Sequence, residues 1–168
     1  ATSNACVSSD TSVATVDNLG LVTGVGIGTT SITYTNSNGC QRVVSFTVNA
    51  LPTITGTLTI CAGSTTQLTG SATAAISNAW VSSNTSVATI SNTGLVTGVG
   101  AGTTTITYTN SNGCQITASV VVNALPAITG TLSVCAGSTT QLTGSATAAA
   151  SNAWVSSNTI VATIDSTG

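Results

Sequence analysis

The chain repeats itself at a fixed offset of 74 residues. Trp80 recurs as Trp154, Tyr34 as Tyr108, Cys40 as Cys114 and Cys61 as Cys135. Residues 51–94 match residues 125–168 at 37 of 44 positions, and residues 1–50 match residues 75–124 at 37 of 50. Identity at that level cannot arise by chance, so every motif has to be read first as part of a repeating unit. The unit runs from a Leu-Pro pair to the Asn-Ala that precedes the next one. That reading gives one complete unit at 51–124, the C-terminal two thirds of another at 1–50, and the N-terminal part of a third at 125–168. A pattern cut at both ends reads as a piece of a longer polypeptide.

Within the complete unit the signals are those of short strands. Thr and Val favour strands because a branched Cβ packs well on a pleated surface. Gly, Asn and Ser recur where tight turns need them. The clearest strand is Thr103–Thr109, with Ile106 and Tyr108 on one face and Thr105, Thr107 and Thr109 on the other. Asn110-Ser111-Asn112-Gly113 then makes a hairpin turn with a favoured Asn-Gly pair. The remaining strands are expected at Thr53–Cys61 (broken), Thr65–Gly70, Ala79–Ser83, Val87–Ile90, Leu95–Val99 and Gln115–Val122. Seven short strands with closely spaced turns fit an all-β, two-sheet sandwich.

Composition narrows the function. One Lys or Arg, three Asp or Glu and no His leave a net charge of -2. There is no basic face for nucleic acid. The acidic residues Asp10, Asp17 and Asp165 stand apart and cannot supply the six to eight oxygens of a calcium site. Without His, the usual zinc and acid–base arrangements are missing, and no base stands beside a Ser or Thr to activate it. Neither an enzyme nor a cofactor-binding protein is expected. Gly24-Val25-Gly26-Ile27-Gly28 resembles a nucleotide loop, but it recurs as Gly98-Val99-Gly100-Ala101-Gly102 without a following helix and reads as a turn. No apolar run is long enough to span a bilayer, so no membrane contact is expected within these residues.

The large apolar residues Trp80, Trp154, Tyr34 and Tyr108 read as core anchors, one Trp and one Tyr position per unit. A sugar-stacking platform is the competing reading of the Trp. Cys6 takes the Trp place in the first copy, which should leave that core looser. An extracellular β-protein should oxidise its thiols. Two pairings suit the 74-residue period. One closes each unit as Cys61–Cys114, leaving the partners of Cys40 and Cys135 outside the sequence. The other staples junctions as Cys40–Cys61 and Cys114–Cys135. The first is preferred, with bonds to another chain or free thiols as the third alternative, although a standard sandwich sets Cys61 and Cys114 toward opposite ends of neighbouring strands; a break at Gly56 would have to shorten that gap. Cys6 has no repeat partner and is a candidate free or intermolecular thiol. Asn84-Thr85-Ser86 is a formal N-glycan acceptor, and Asp165-Ser166-Thr167 resembles a short acceptor for O-linked glycans.

Trp80–Ile90, then Gly94-Leu95-Val96-Thr97-Gly98-Val99, then Ala101–Tyr108 together resemble the bacterial immunoglobulin-like domain, group 2. The pattern appears also at Val7–Tyr34 and starts again at Trp154. The resemblance implies tandem immunoglobulin-like β-sandwiches. Cys61-Ala62-Gly63 and Asn112-Gly113-Cys114 are similar to marks in repeats of giant Bacteroidota surface proteins, including gliding adhesins exported by the type IX system. That likeness implies an extracellular, outer-membrane-associated filament or adhesin shaft. Its partners would be neighbouring repeats and like chains in a fibre. A carbohydrate- or receptor-binding adhesion module is the alternative.

Overall fold

The alternating run Gly102–Thr109 becomes the central strand of the middle repeat, because a period of two can bury one face while the other keeps water. The computed structural model describes residues 5–168. The first copy contains β1 (Cys6–Ser8), β2 (Ala14–Val16), β3 (Val22–Gly24), β4 (Gly28–Thr35) and β5 (Gln41–Val48). The middle copy contains β6 (Ile54–Thr55), β7 (Thr59–Cys61), β8 (Thr65–Gln67), β9 (Thr69–Gly70), β10 (Trp80–Ser82), β11 (Ala88–Ile90), β12 (Leu95–Gly98), β13 (Gly102–Thr109) and β14 (Gln115–Asn123). The third copy contributes β15 (Ile128–Gly130) and β16 (Leu142–Gly144).

The middle copy forms a four-stranded sheet in the order β10-β13-β14-β7 and a three-stranded sheet β11-β12-β8, with β6 paired to β9. All pairs are antiparallel except β7 with β14, which runs parallel with Ile60 opposite Val122 and Cys61 opposite Asn123. Two expected strands are each broken in two. Gly56 sits at φ +127 between β6 and β7, a conformation that favours glycine. Between β8 and β9, Leu68 leaves the ladder and its N–H donates to the Gly94 carbonyl instead. The break lets the early part of the unit pair with both sheets.

The core draws on both layers. Leu68, Ala88, Val96, Ile106 and Val120 are fully buried, with Ile60, Trp80, Tyr108 and Val122 beside them. On β13 the inward residues are Thr104, Ile106 and Tyr108; on β14 the most buried are Val120 and Val122. The first copy repeats the local plan. Its β1-β4-β5 sheet pairs Cys6 with Tyr34 and Gly28 with Val48, matching Trp80 with Tyr108 and Gly102 with Val122.

Candidate functional site

Trp80 on β10 and Tyr108 on β13 are cross-strand partners, and their rings meet at 4.5 Å between centroids, tilted by 40°. Trp80 is 6 % exposed and Tyr108 2 %. Two glycines permit that packing. A Cβ at Gly70 would overlap the Tyr108 ring, and one at Gly94 would press on the Trp80 indole at 3.2 Å. The Tyr108 hydroxyl donates to the Ala72 carbonyl at 3.0 Å. A shallow cleft of about 230 Å³ opens beside the pair, between Gln67, Asn92 and Thr93. Both rings are almost wholly buried and offer no free face for a sugar, so the sugar-platform reading lacks its platform.

The other copies differ. Tyr34 is 52 % exposed. The segment that covers Tyr108, from Gly70 to Ala72, has no counterpart within residues 5–48. Trp154 is half-buried, with Gly144 against its ring. The deeply buried aromatic pair is thus realised in the middle copy.

The expected disulfides are overturned. All five cysteines, Cys6, Cys40, Cys61, Cys114 and Cys135, carry free thiols. For the preferred pair the register gives the reason. Cys61 lies opposite Asn123 at one end of β14, whereas Cys114 immediately precedes Gln115 at the other end. Nine residues of extended chain separate those positions by about 30 Å at 3.3 Å per residue. A disulfide needs Cα atoms roughly 4.4–6.8 Å apart. The kink at Gly56 does not shorten the gap, because the parallel pairing of β7 fixes Cys61 at the far pole.

The polar groups are occupied with structure. Thr104 is 2 % exposed, and its Oγ1 lies 3.1 Å and 3.2 Å from the Ser82 and Ser83 hydroxyls. It also accepts the Asn84 N–H at 3.0 Å. Thr30 repeats this hub with Ser8, Ser9 and Asp10. Sequence reading missed it; its signal was a Thr on the otherwise apolar face of a strand. Asn110, 2 % exposed, accepts the N–H groups of Asn112 and Cys114 at 3.0 Å each and pins the β13–β14 hairpin. Among the described residues no three His, Cys, Asp or Glu side chains gather as a metal site.

The carboxylates act as turn caps. The Ser12 hydroxyl, and then the Ser12 N–H, hold the Asp10 carboxyl below the usual carboxylate range. Thr167 does the same for Asp165 through its hydroxyl and N–H. In the middle copy Asn84 stands in the place of Asp10 and accepts the same two bonds from Ser86. Both glycan-acceptor triplets lie in capping turns. The Gly24–Gly28 run is a turn as well: it joins β3 to β4, and the Val25 N–H donates to the Val13 carbonyl at 2.8 Å.

The outward face of the four-stranded sheet carries no charge. Thr103 and Thr105 on β13, and Gln115, Thr117, Ser119 and Val121 on β14, are exposed. Among the described residues no helix is long and apolar enough to cross a membrane.

The sequence profile of the bacterial Ig-like domain (group 2) matches residues 5–48 and again 47–121. A relative, ice-binding protein 1 of Shewanella frigidimarina (strain NCIMB 400), is 32% identical over an alignment of 186 positions. That alignment takes in 96% of this chain but 21% of the relative, so the chain spans about a fifth of that protein's length. Among solved structures, an intimin mutant from EHEC O157:H7 is 22% identical over 44% of this chain and 39% of its own, with a TM-score of 0.33. Surface layer protein SbsC, domains 1-6, is 22% identical over 76% of this chain and 21% of its own, also at 0.33.

Proposed function

The chain belongs to the bacterial Ig-like domain (group 2) family, and on that premise we propose that it is a structural module of an extracellular bacterial surface filament or adhesin, serving as shaft or spacer. The observation that carries this reading is that the groups able to do chemistry are spent on folding. The Trp–Tyr pair is sealed in the core. The Asp and Asn side chains cap turns, and the buried hydroxyls hold strands together. What is left is a nearly uncharged unit in near-identical copies, and modules in series supply reach. The arrangement is that of a structural or adhesive domain rather than an enzyme. The three sequence segments 1–50, 51–124 and 125–168 serve in this reading as one whole and two partial modules. The Cys-x-Gly and Asn-Gly-Cys marks favour a place among giant Bacteroidota surface proteins.

The joint supports an extended form. The chain leaves β5 at Val48 and enters β6 at Ile54. Thr53 is already tied down, its N–H donating to the Ser71 hydroxyl at 2.8 Å and its carbonyl accepting the Ser71 N–H at 2.9 Å. Pro52 is buried and fixes its own φ. Only Asn49, Ala50 and Leu51 remain to flex. A nine-residue β14 plus a short linker gives an advance of about 40 Å per unit. Small-angle scattering of chains with three and six units measures that advance. A long dimension that does not grow with copy number refutes the shaft.

One observation favours a second reading. The uncharged Thr-rich face, taken with the name of the Shewanella relative, suggests contact with ice. Inhibition of ice recrystallisation by this chain, lost in Thr105→Lys, would move the assignment from spacer to binding module.

A further inference from the structure

The two joints between copies share one linker sequence, Val-Asn-Ala-Leu-Pro at 48–52 and again at 122–126. The loops beside them differ at single positions. The loop between β12 and β13 reads Gly-Val-Gly-Ala-Gly at 98–102, and its counterpart at 24–28 differs only in Ile27 for Ala101. The segment between β9 and β10, at 71–79, recurs at 145–153 and differs only in Ala150 for Ile76.

The fold sets Ile27 and Ile76 on the two sides of one joint. Gly28 pairs with Val48, the last residue of β5, so Ile27 stands at the pole where the chain leaves the first copy. At the entry pole of the middle copy, Thr53 exchanges two hydrogen bonds with Ser71. The segment from Ser71 onward then lines that pole. Its Ala75 N–H donates to the Thr109 carbonyl, and Ala74 bridges to Asn110 at the β13–β14 hairpin. At the next joint the same two places hold Ala101 and Ala150. One joint thus has Ile on both sides and the other has Ala on both sides. Residues that change together in this way are residues that pack on each other.

Both isoleucines are available for that contact. Ile27 is 74 % exposed and Ile76 wholly so. Exposure of this loop belongs to the whole unit, since Val99, the middle copy's match for Val25, is also exposed. Ile76 stands on a fixed support. Ala72 and Asn78, on either side of it, sit at φ +64 and +50, a region costly for a residue with a Cβ, so the surrounding bonds must hold the segment in place. One such bond is the Tyr108 hydroxyl donating to the Ala72 carbonyl.

We propose that the joint between the first and middle copies closes on an apolar contact between Ile27 and Ile76, with the 24–28 loop of one copy as the occupant of the surface that Ile76 presents on the next. Asn49, Ala50 and Leu51 supply the rotation that seats it. The chain from Val48 to Thr53 spans at most about 18 Å, which keeps the two poles within reach of each other. Exposed Val25 and Leu51 border the same joint and extend the contact. The joint with Ala on both sides lacks it and turns more freely, so stiffness is set joint by joint. This rests on the shaft reading, in which copies stand in series, but it is decided separately: loss of the contact leaves the advance per unit unchanged.

Methyl NMR on the full chain with labelled isoleucine tests it. The expected result is a cross-peak between the Ile27 and Ile76 methyl groups that keeps its relative intensity when labelled chain is mixed with about a tenfold excess of unlabelled chain. Residual dipolar couplings from residues 6–48 and 54–123 then fit a single alignment tensor. Ile27→Ala and Ile76→Ala each remove the cross-peak and separate the two tensors, and the double variant does no more than either one. Both side chains are exposed within their own copies, so the variants keep their folds. Absence of the cross-peak in the wild-type chain overturns the proposal. So does its loss on mixing, which marks a contact between separate chains, and so does a single tensor that survives Ile76→Ala.

Discussion

Replacing Trp80 by Ala should remove a large share of the stability of the middle repeat. Trp buries roughly 150–250 Å² in a core, and at about 25 cal/mol per Å² that is about 4–6 kcal/mol of transfer free energy. Trp80 is only 6 % exposed, so nearly all of it applies. Measured Trp→Ala losses of about 3–5 kcal/mol agree in scale. The contact with Tyr108 at 4.5 Å adds roughly 0.5–1.5 kcal/mol. Against this, a unit of this size holds about 4–11 kcal/mol in all, at roughly 0.05–0.15 kcal/mol per residue. The measurement is amide hydrogen exchange on peptides covering Ile106–Tyr108 and Val120–Val122, which reads local opening free energy. A loss of about 3 kcal/mol appears as protection lowered about a hundredfold or more, since about 1.4 kcal/mol is tenfold. Val81→Ala, one residue along and 47 % exposed, is the control and should change protection less than about threefold. Trp80→Ala protection within tenfold of wild type would refute the view that the indole is the central plug. The first copy, with Cys6 at this place, should show weaker protection in β4 and β5 than β13 and β14 do.

Three further outcomes follow from named contacts. Gly70→Ala drives a methyl into the Tyr108 ring and should cost about 1–3 kcal/mol in urea unfolding, with an altered near-UV signal from the aromatic pair. Thr104→Val keeps the shape but removes the closest acceptor of the Asn84 N–H and one hydroxyl partner each from Ser82 and Ser83, for a loss of about 1–3 kcal/mol by the same assay. The pH dependence should be shallow and acidic. The folded Asp10 carboxyl sits below its unfolded value, so its stabilisation is present above the unfolded pKa and is lost as pH falls through the folded one. An unfolding midpoint followed from neutral to strongly acidic pH should fall only in acid, and Asp10→Asn, the residue the middle copy uses, should flatten the first copy's share.

The repeat and the strands with clean alternation could be read directly, because both depend on local order. Thr104, Ile106 and Tyr108 share a face by the geometry of any extended chain, and Asn110–Gly113 turns because Asn and Gly suit that turn. The solvation of the fold by Thr, Ser and Asn is likewise written in the composition. Position across the fold was not legible. The place of Cys61 depends on a parallel pairing between residues some sixty positions apart, and its register is set by which side chains fill the core. That packing carried Cys61 to the far pole from Cys114 and undid the preferred disulfide. The same holds for the buried hydroxyl of Thr104, whose partners come from β10 and the turn after it. Tyr34 and Tyr108 lie in closely similar local sequences and end at 52 % and 2 % exposed. Local sequence specifies the strand, but burial is decided by the segment that packs over it, and Gly70–Ala72 lies over Tyr108 alone.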